Sequence, residues 1–330
     1  MYTKSNELEH LVAQIHQGIC TPVIGTRLMA EMVFGPPLVA SQWANHIGYP
    51  LADGHNLTRV AQFASVVEGD PERIKSDFLA FLKERLLALA RAEPDADLSL
   101  LKRAAHQAPT TSFTDLVCAV LPRLDFQTPP TNPLSILAAL EIPVYLTTSP
   151  WQLLEKALKV NGREPRTEVY IWNQGLKRSV PPAMRPDLNF SPSIKTPLVF
   201  HLHGIEDDPG SLVLTEDDYM EFLVNITGDL NDTNIFPAEV RDTITSSRLL
   251  LVGYRMHAWD LRVFVQIIKK LQRRRPGFAI QLEPTAADHI LHPEQFHIYL
   301  ERYFKSAQFK IFWDTPQNFL SALWQAWNGG

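Results

Sequence analysis

Residues 198–204 read Leu198-Val199-Phe200-His201-Leu202-His203-Gly204, an apolar run of strand length closed by an imidazole and a glycine. Bounded by Pro197 and Gly204, such a run is too short for a helix and fits a strand buried on both faces. The same unit recurs on either side. Thr21-Pro22-Val23-Ile24-Gly25, Leu146-Thr147-Thr148-Ser149-Pro150-Trp151 and Leu249-Leu250-Leu251-Val252-Gly253-Tyr254 are apolar runs that end in glycine or hydroxyl residues. In open α/β sheets, ligands bind just beyond the carboxyl ends of the strands, so these four ends form one candidate site.

The spacing between them predicts the rest of the fold. After residue 140 the chain alternates, with strands expected at 142–146, 168–171, 198–202, 248–252, 278–282 and 309–313. Helices are expected at 151–160, from about Thr215, at 259–274, around 293–304 and at 316–327. Strands separated by helices of this length require right-handed crossovers and a doubly wound, mostly parallel α/β sheet of Rossmann-like type. Before that, apolar positions Leu8, Leu11, Val12 and Ile15 give a first helix. Phe34-Gly35-Pro36-Pro37 gives a turn, and 38–47 a second helix. Residues 56–140 read as helix after helix, with Asp70-Pro71-Glu72 opening one and Glu93-Pro94-Asp95 closing it. The expectation is one domain over 1–330, with 56–140 as a helical insertion layer over the cleft. The Pro-rich loop 173–197 has the length of a lid or partner surface.

Composition narrows the function. The chain has 330 residues, 45% of them hydrophobic, which is ample for a packed core. A net charge of −5 provides no field that would draw nucleic acid or an anionic membrane to it. The basic cluster Lys269, Lys270, Arg273, Arg274 and Arg275 falls where cations offset a helix dipole, so no direct nucleic-acid binding is expected. Cys20 and Cys118 are too far apart in sequence for a thiolate metal motif and read as small apolar fillers in a reducing compartment. The polar N-terminus lacks an apolar h-region, and no run of about 18 apolar residues occurs, so a cytoplasmic protein without membrane spans is expected.

The order of the four segments resembles the sirtuin-like NAD-consuming family, in its bacterial branch without zinc. Gly25-Thr26-Arg27 stands where relatives have a glycine-rich phosphate turn, with Arg27 in place of the second glycine. Thr147-Thr148-Ser149 followed by Leu153-Leu154-Glu155 resembles the Thr-Thr-Asn stretch and its helix, with Ser149 in place of the Asn that helps place the attacking water. Read without the family, Thr148-Ser149 is a helix N-cap before Pro150. His203-Gly204 matches the Leu-His-Gly strand end, and the resemblance makes His203 the catalytic base. His201, two residues earlier, is expected on the same side of the strand. Gly253-Tyr254-Arg255 resembles the Gly-Tyr-Ser run, with Arg255 as the third departure, and Asp260 and Arg262 follow in an Asp-x-x-Arg helix start. Gln62, in Arg59-Val60-Ala61-Gln62-Phe63, resembles a helix that some relatives place over the nicotinamide end.

The resemblance therefore implies catalytic His203 and Ser149. It implies cofactor contacts from Gly25, Thr26, Arg27, Thr148, Gln62, Gly204, Gly253, Tyr254 and Arg255. NAD is the implied substrate or ligand, and no metal is implied. His201-x-His203 offers only two ligands, and the zinc ribbon of deacetylating sirtuins needs four thiolates. The implied activity is hydrolysis of NAD to nicotinamide and ADP-ribose in bacterial antiphage defence, by a homo-oligomer with a possible protein partner. A catalytically silent NAD- or ADP-ribose-binding regulatory module is the other reading, favoured by the three departures.

Overall fold

The computed structural model describes residues 4–34, 39–122, 124, 126, 130–229, 232, 235–254, 259–270, 275–281 and 290–329. The expected turn at Gly35-Pro36-Pro37 lies outside the described residues, as do Arg255, Arg273 and Arg274 and the side chains of Asp260 and Lys270. In chain order the elements begin α1 (Lys4–His16), β1 (Cys20–Ile24), α2 (Thr26–Phe34) and α3 (Val39–His46). Then come α4 (Leu57–Glu68), α5 (Pro71–Ala92), α6 (Leu98–Gln107), α7 (Phe113–Val120) and α8 (Pro133–Ala139). The alternating half contains β2 (Val144–Thr147), α9 (Leu153–Val160), β3 (Arg166–Val169), α10 (Leu176–Ser179) and β4 (Leu198–His201). It continues with α11 (Glu216–Asp229), α12 (Ala238–Ser246), β5 (Arg248–Val252) and α13 (Trp259–Lys270). It closes with β6 (Gly277–Gln281), α14 (Pro293–Ser306), β7 (Phe309–Trp313) and α15 (Pro316–Gly329).

The seven strands form one sheet in the order β3-β4-β2-β1-β5-β6-β7, and every pairing is parallel. Helices cover both faces, as an all-parallel sheet requires. One apolar cluster joins α1, α5, α9 and α15 to one face, and a second joins α11 to α14 to the other. The register fixes the site. Ile24 pairs with Thr147 on one side and Val252 on the other, and Thr147 pairs with His201, so four strand ends share one level. Gly25, Thr148, Leu202 and Gly253 each lie one step beyond it. The chain runs from β1 to strands on one side and returns as β5 on the other, so the topological switch falls between β1 and β5.

Between β1 and β2 the described residues are helical with no strand. The sequence codes these starts locally: side chains of Asn56, Asp70, Asp97, Ser112 and Asn132 accept from the first-turn amides of α4 to α8. Pro71 sits at the start of α5, and the helix stops at Ala92, ahead of Pro94. The loop at 173–197 packs at its middle against β3. There Arg166 donates to Glu168 (2.7 Å) and Asp187 N donates to the same carboxylate (3.2 Å), while the Arg166 guanidinium lies 4.9 Å from the Phe190 ring. Cys20 is buried as expected, but Cys118 is exposed, because it falls on the outer face of α7. Lys269, at the end of α13, lies over the Tyr303 ring at 4.5 Å. No described helix is long and apolar enough to cross a membrane.

Candidate active site at the strand ends

The β1–α2 turn and the β5 exit are built against each other. Gly25 N donates to Val252 O (2.8 Å), and Leu28 N to Gly25 O (3.1 Å). A Cβ on Gly25 would lie 2.4 Å from Gly253 O, and one on Gly253, at φ +80°, would lie 2.4 Å from Leu28 Cβ. Both glycines are therefore required by the approach of the chain to itself at the switch point. Thr26 Oγ1 donates to Thr148 O (2.9 Å), Thr148 N to Ile24 O (2.9 Å), and Thr148 Oγ1 to the Tyr254 hydroxyl (3.2 Å). Gly25, Thr26, Thr148, Gly253 and Tyr254 are thus brought together. Arg27, the expected phosphate contact, donates its Nε to Glu31 one turn along α2.

Ser149 is fully buried. It does not cap α9, which begins only at Leu153; its Oγ accepts from Trp151 N (3.3 Å), two residues on, in a local hydroxyl turn. Its amide donates to Thr147 Oγ1 (2.9 Å), and its carbonyl accepts from His201 Nδ1 (2.8 Å). The imidazole that touches Ser149 is therefore His201. His203 does not share its side, because β4 stops at His201 and the next residues bend toward the other face. The His203 ring stands edge-on to Tyr219 and Phe222 of α11, at centroid distances of 5.3 and 4.7 Å. Burial pushes its pKa down to about 3, so the covered imidazole is neutral near pH 7 and binds a proton only weakly. Gly204 follows at φ +82°, where a Cβ would fall 2.1 Å from Ser211 O, so the bend accepts only glycine.

The helical layer reaches this bend through α11. Gln62 Nε2 donates to Asp217 Oδ2 (2.7 Å) and its Oε1 accepts from Asp217 N (3.1 Å), while Arg59 Nε lies 3.5 Å from Glu216. Lys75, buried on α5, donates to Asp218 Oδ1 (2.8 Å), and Asp218 Oδ2 accepts from Leu214 N (3.0 Å) and Thr215 N (2.9 Å). Thr215 Oγ1 accepts from Asp218 N (3.1 Å), completing a reciprocal capping box. Three consecutive acidic residues are thus held by three residues of α4 and α5, over the helix that packs on His203. A cavity of about 290 Å³ lies elsewhere, within the helical layer, against Trp43, Phe63 and Phe81.

Sequence reading missed Lys75, Asp218, Glu155 and Glu206. Lys75 shares the apolar stripe of Phe78, Leu79 and Leu82, and Glu155 that of Trp151 and Leu158, so helical spacing marked both as buried charges. Glu206 has no such signal. Its carboxylate accepts from Thr114 N (3.2 and 3.1 Å) and from Thr114 Oγ1, which itself accepts from Gln152 N (2.9 Å). This links the start of α7 to the Ser149 turn. Burial raises Glu206 from 4.5 to about 7, against the lowering effect of the Thr114 hydrogen bonds, with Asp207 raising it further. A carboxyl raised on folding binds its proton more tightly in the folded state. Its contribution is complete below pH 4.5 and is lost as pH climbs to about 7. Glu206→Gln is expected to remove that loss. The difference in melting temperature, variant minus wild type, should grow between pH 4.5 and 7 and then level off, and a flat difference would refute it.

Among the described residues no group of three His, Cys, Asp or Glu side chains converges as a metal set. A comparison with curated proteins finds no match. The family model described as the SIR2-like domain matches residues 143–306, a span holding Ser149, His201, His203, Gly204, Gly253 and Tyr254, with Gly25, Thr26, Arg27 and Gln62 ahead of it. From just before β2 to the end of α14, the chain is similar to the SIR2-like domain.

Proposed function

We propose that this chain binds NAD beyond the ends of β1, β2, β4 and β5 and hydrolyses it to nicotinamide and ADP-ribose. The carrying observation is that the strand ends holding Thr148, Ser149, His203 and Gly253 stand at one level around the switch point, inside a SIR2-like match. Cleavage of the N-glycosidic bond passes through an oxocarbenium-like ribose, so groups that hold it more strongly as charge develops accelerate the step. Once uncovered, where burial no longer depresses its pKa, His203 suits acceptance of a ribose-hydroxyl proton. His203 is covered by Tyr219 and Phe222, so the reading requires α11 to shift against α4 and α5 before substrate reaches it, and activity is conditional. The resemblance extends the proposal to a cytoplasmic homo-oligomer that depletes NAD in antiphage defence with a protein partner.

A silent NAD- or ADP-ribose-binding module is the second reading, favoured by the inward-turned Ser149 hydroxyl and the Arg27–Glu31 pair. Incubation with NAD, read as free nicotinamide beside a thermal-shift series, separates the two. Either reading predicts stabilisation of about 2.7 kcal/mol when ligand stands at 100 times its dissociation constant. Absence of both nicotinamide and stabilisation would end the proposal.

Ser149→Asn tests the departure directly. The site is full, so the longer side chain is expected to cost about 1–3 kcal/mol of stability. Restoring the longer polar arm is expected to raise nicotinamide release, by at most about 100-fold, the size of one preorganised contact. Unchanged release with ligand stabilisation intact would favour the silent module.

A further inference from the structure

We infer that Glu155 and His201 form a positioning pair, one proton held between His201 Nε2 and Glu155 Oε1, whose Nδ1–H fixes the Ser149 carbonyl and the turn that follows β2. For its bearing on NAD, this rests on the function proposed above. His201 is 0% exposed and Glu155 2%. His201 Nδ1 lies 2.8 Å from Ser149 O, and Nε2 lies 2.8 Å from Glu155 Oε1. A carbonyl oxygen has no proton to give, so Nδ1 must carry one. A neutral ring in that tautomer would then aim a bare Nε2 lone pair at a carboxylate oxygen at hydrogen-bond distance. That contact is repulsive unless a proton lies between them, on the nitrogen or on the oxygen. In either form the pair is neutral as a whole, which is how two ionisable groups tolerate full burial.

The pair joins four parts of the site. Glu155 belongs to α9 and His201 ends β4, while Thr167 Oγ1 of β3 donates to the same Glu155 oxygen at 3.2 Å. The clamped carbonyl belongs to the turn between β2 and α9. In that turn Ser149 N also donates to Thr147 Oγ1, Trp151 N to Ser149 Oγ and Gln152 N to Thr114 Oγ1, while Pro150 O accepts from Glu206 N (3.0 Å) and Gln152 Nε2 donates to Asp207 Oδ2 (2.8 Å). The His201 bond is the one in which a ring shared with a carboxyl group is the donor, and with the shared proton on Nε2 it is charge-assisted, the stronger class. Both ring nitrogens are used and the ring is sealed from solvent, so His201 is not an acid or base toward substrate. Its effect on chemistry passes through the position of Ser149.

Histidine-selective ¹⁵N labelling of the full chain reads the shared proton. Wild type is expected to give a downfield, slowly exchanging ring proton, absent in His201→Gln. In Glu155→Gln the amide donates to Nε2, whose ¹⁵N signal should move to the unprotonated range while Nδ1–H is retained. Amide exchange reads the turn. Glu155→Ala and His201→Gln are expected to speed exchange at Trp151 and Gln152 at least tenfold, the loss of about one charge-assisted bond. Leu251 and Ala279 should be unchanged, and Glu155→Gln should restore protection. In thermal shifts with NAD, both disruptive variants should bind at least about tenfold more weakly and Glu155→Gln close to wild type. A missing downfield proton, or exchange raised equally in β5 and β6, overturns the pair as a positioning device. NAD affinity unchanged in Glu155→Ala overturns its link to the site. If wild type binds no NAD, the proposed function fails, and the ring proton and amide exchange still decide the pair.

Discussion

Lys75→Met should destabilise the fold by about 3–5 kcal/mol, the range for removing one partner of a buried ion pair. Lys75 is 3% exposed, donates to Asp218 at 2.8 Å and to Gly210 O at 3.4 Å, and lies 5.3 Å from the Trp172 ring centroid. Methionine fills the stem's volume, so the loss measures the charge left on Asp218 more than a cavity. Simultaneous removal of both charges often restores stability in buried pairs. Here the second carboxylate oxygen also accepts two amides, from Leu214 and Thr215, so the acceptor must stay. Lys75→Met/Asp218→Asn keeps one acceptor and no net charge, and should recover part of the loss, with a coupling of about 0.5–3 kcal/mol. Arg59→Met is the contrast: its side chain is 55% exposed, so solvent screens its pairs with Asp53 and Glu216 and they should contribute little. Denaturant unfolding of wild type, the double variant and the single variants Lys75→Met, Asp218→Asn and Arg59→Met decides. A Lys75→Met loss no larger than that of Arg59→Met would mean that the helical layer is not seated on α11.

The contrast shows which parts of the fold are written locally. All seven strands lie within about two residues of the expected positions; the inner ones, buried on both faces, leave a continuous apolar signal, while the edge strands β3 and β7 are only partly buried. The capping residues from Asn56 to Asn132 and the Thr215–Asp218 box are equally local, and α5 and α11 start where Asp70-Pro71 and Thr215 placed them. Three helices went unread. α10 lies within the stretch read as a Pro-rich loop. α2 starts directly at the end of β1, where Gly25-Thr26 read as a phosphate turn. α12 begins after Pro237 with no side-chain cap.

The site was legible as a set of strand ends and illegible in side-chain direction. Alternation along β4 put His201 and His203 on one side, but alternation holds only while the strand lasts, and β4 ends at His201. Glycine at 25 and 253 marks a close approach, and the approach is made by the Gly253 carbonyl and by Leu28. A sequence shows that a close approach is made and not what approaches. Partners from distant elements, such as Glu206 on Thr114, follow from the assembled sheet alone.

His203→Ala is expected to abolish nicotinamide release, since loss of a positioned general base costs about 100- to 10,000-fold. Alanine alone would not prove it, because the ring also fills space between Tyr219 and Phe222 and its removal leaves a cavity. His203→Phe separates the two effects. It keeps an aromatic ring in the same pocket and removes both nitrogens, so stability near pH 7 should be retained while release is lost. The acid limb gives an independent reading. Burial lowers the folded-state pKa of His203 from 6.5 to about 3, so its contribution to stability is present above pH 6.5 and lost as pH falls toward 3. His203→Phe has no proton to take up there. The stability of the variant relative to wild type should therefore rise as pH falls through that window. If the phenylalanine variant releases nicotinamide at the wild-type rate, His203 is a packing residue and the base must be sought elsewhere. If release is lost but the acid-limb difference is absent, His203 is already solvent-accessible in solution and α11 needs no displacement to admit NAD.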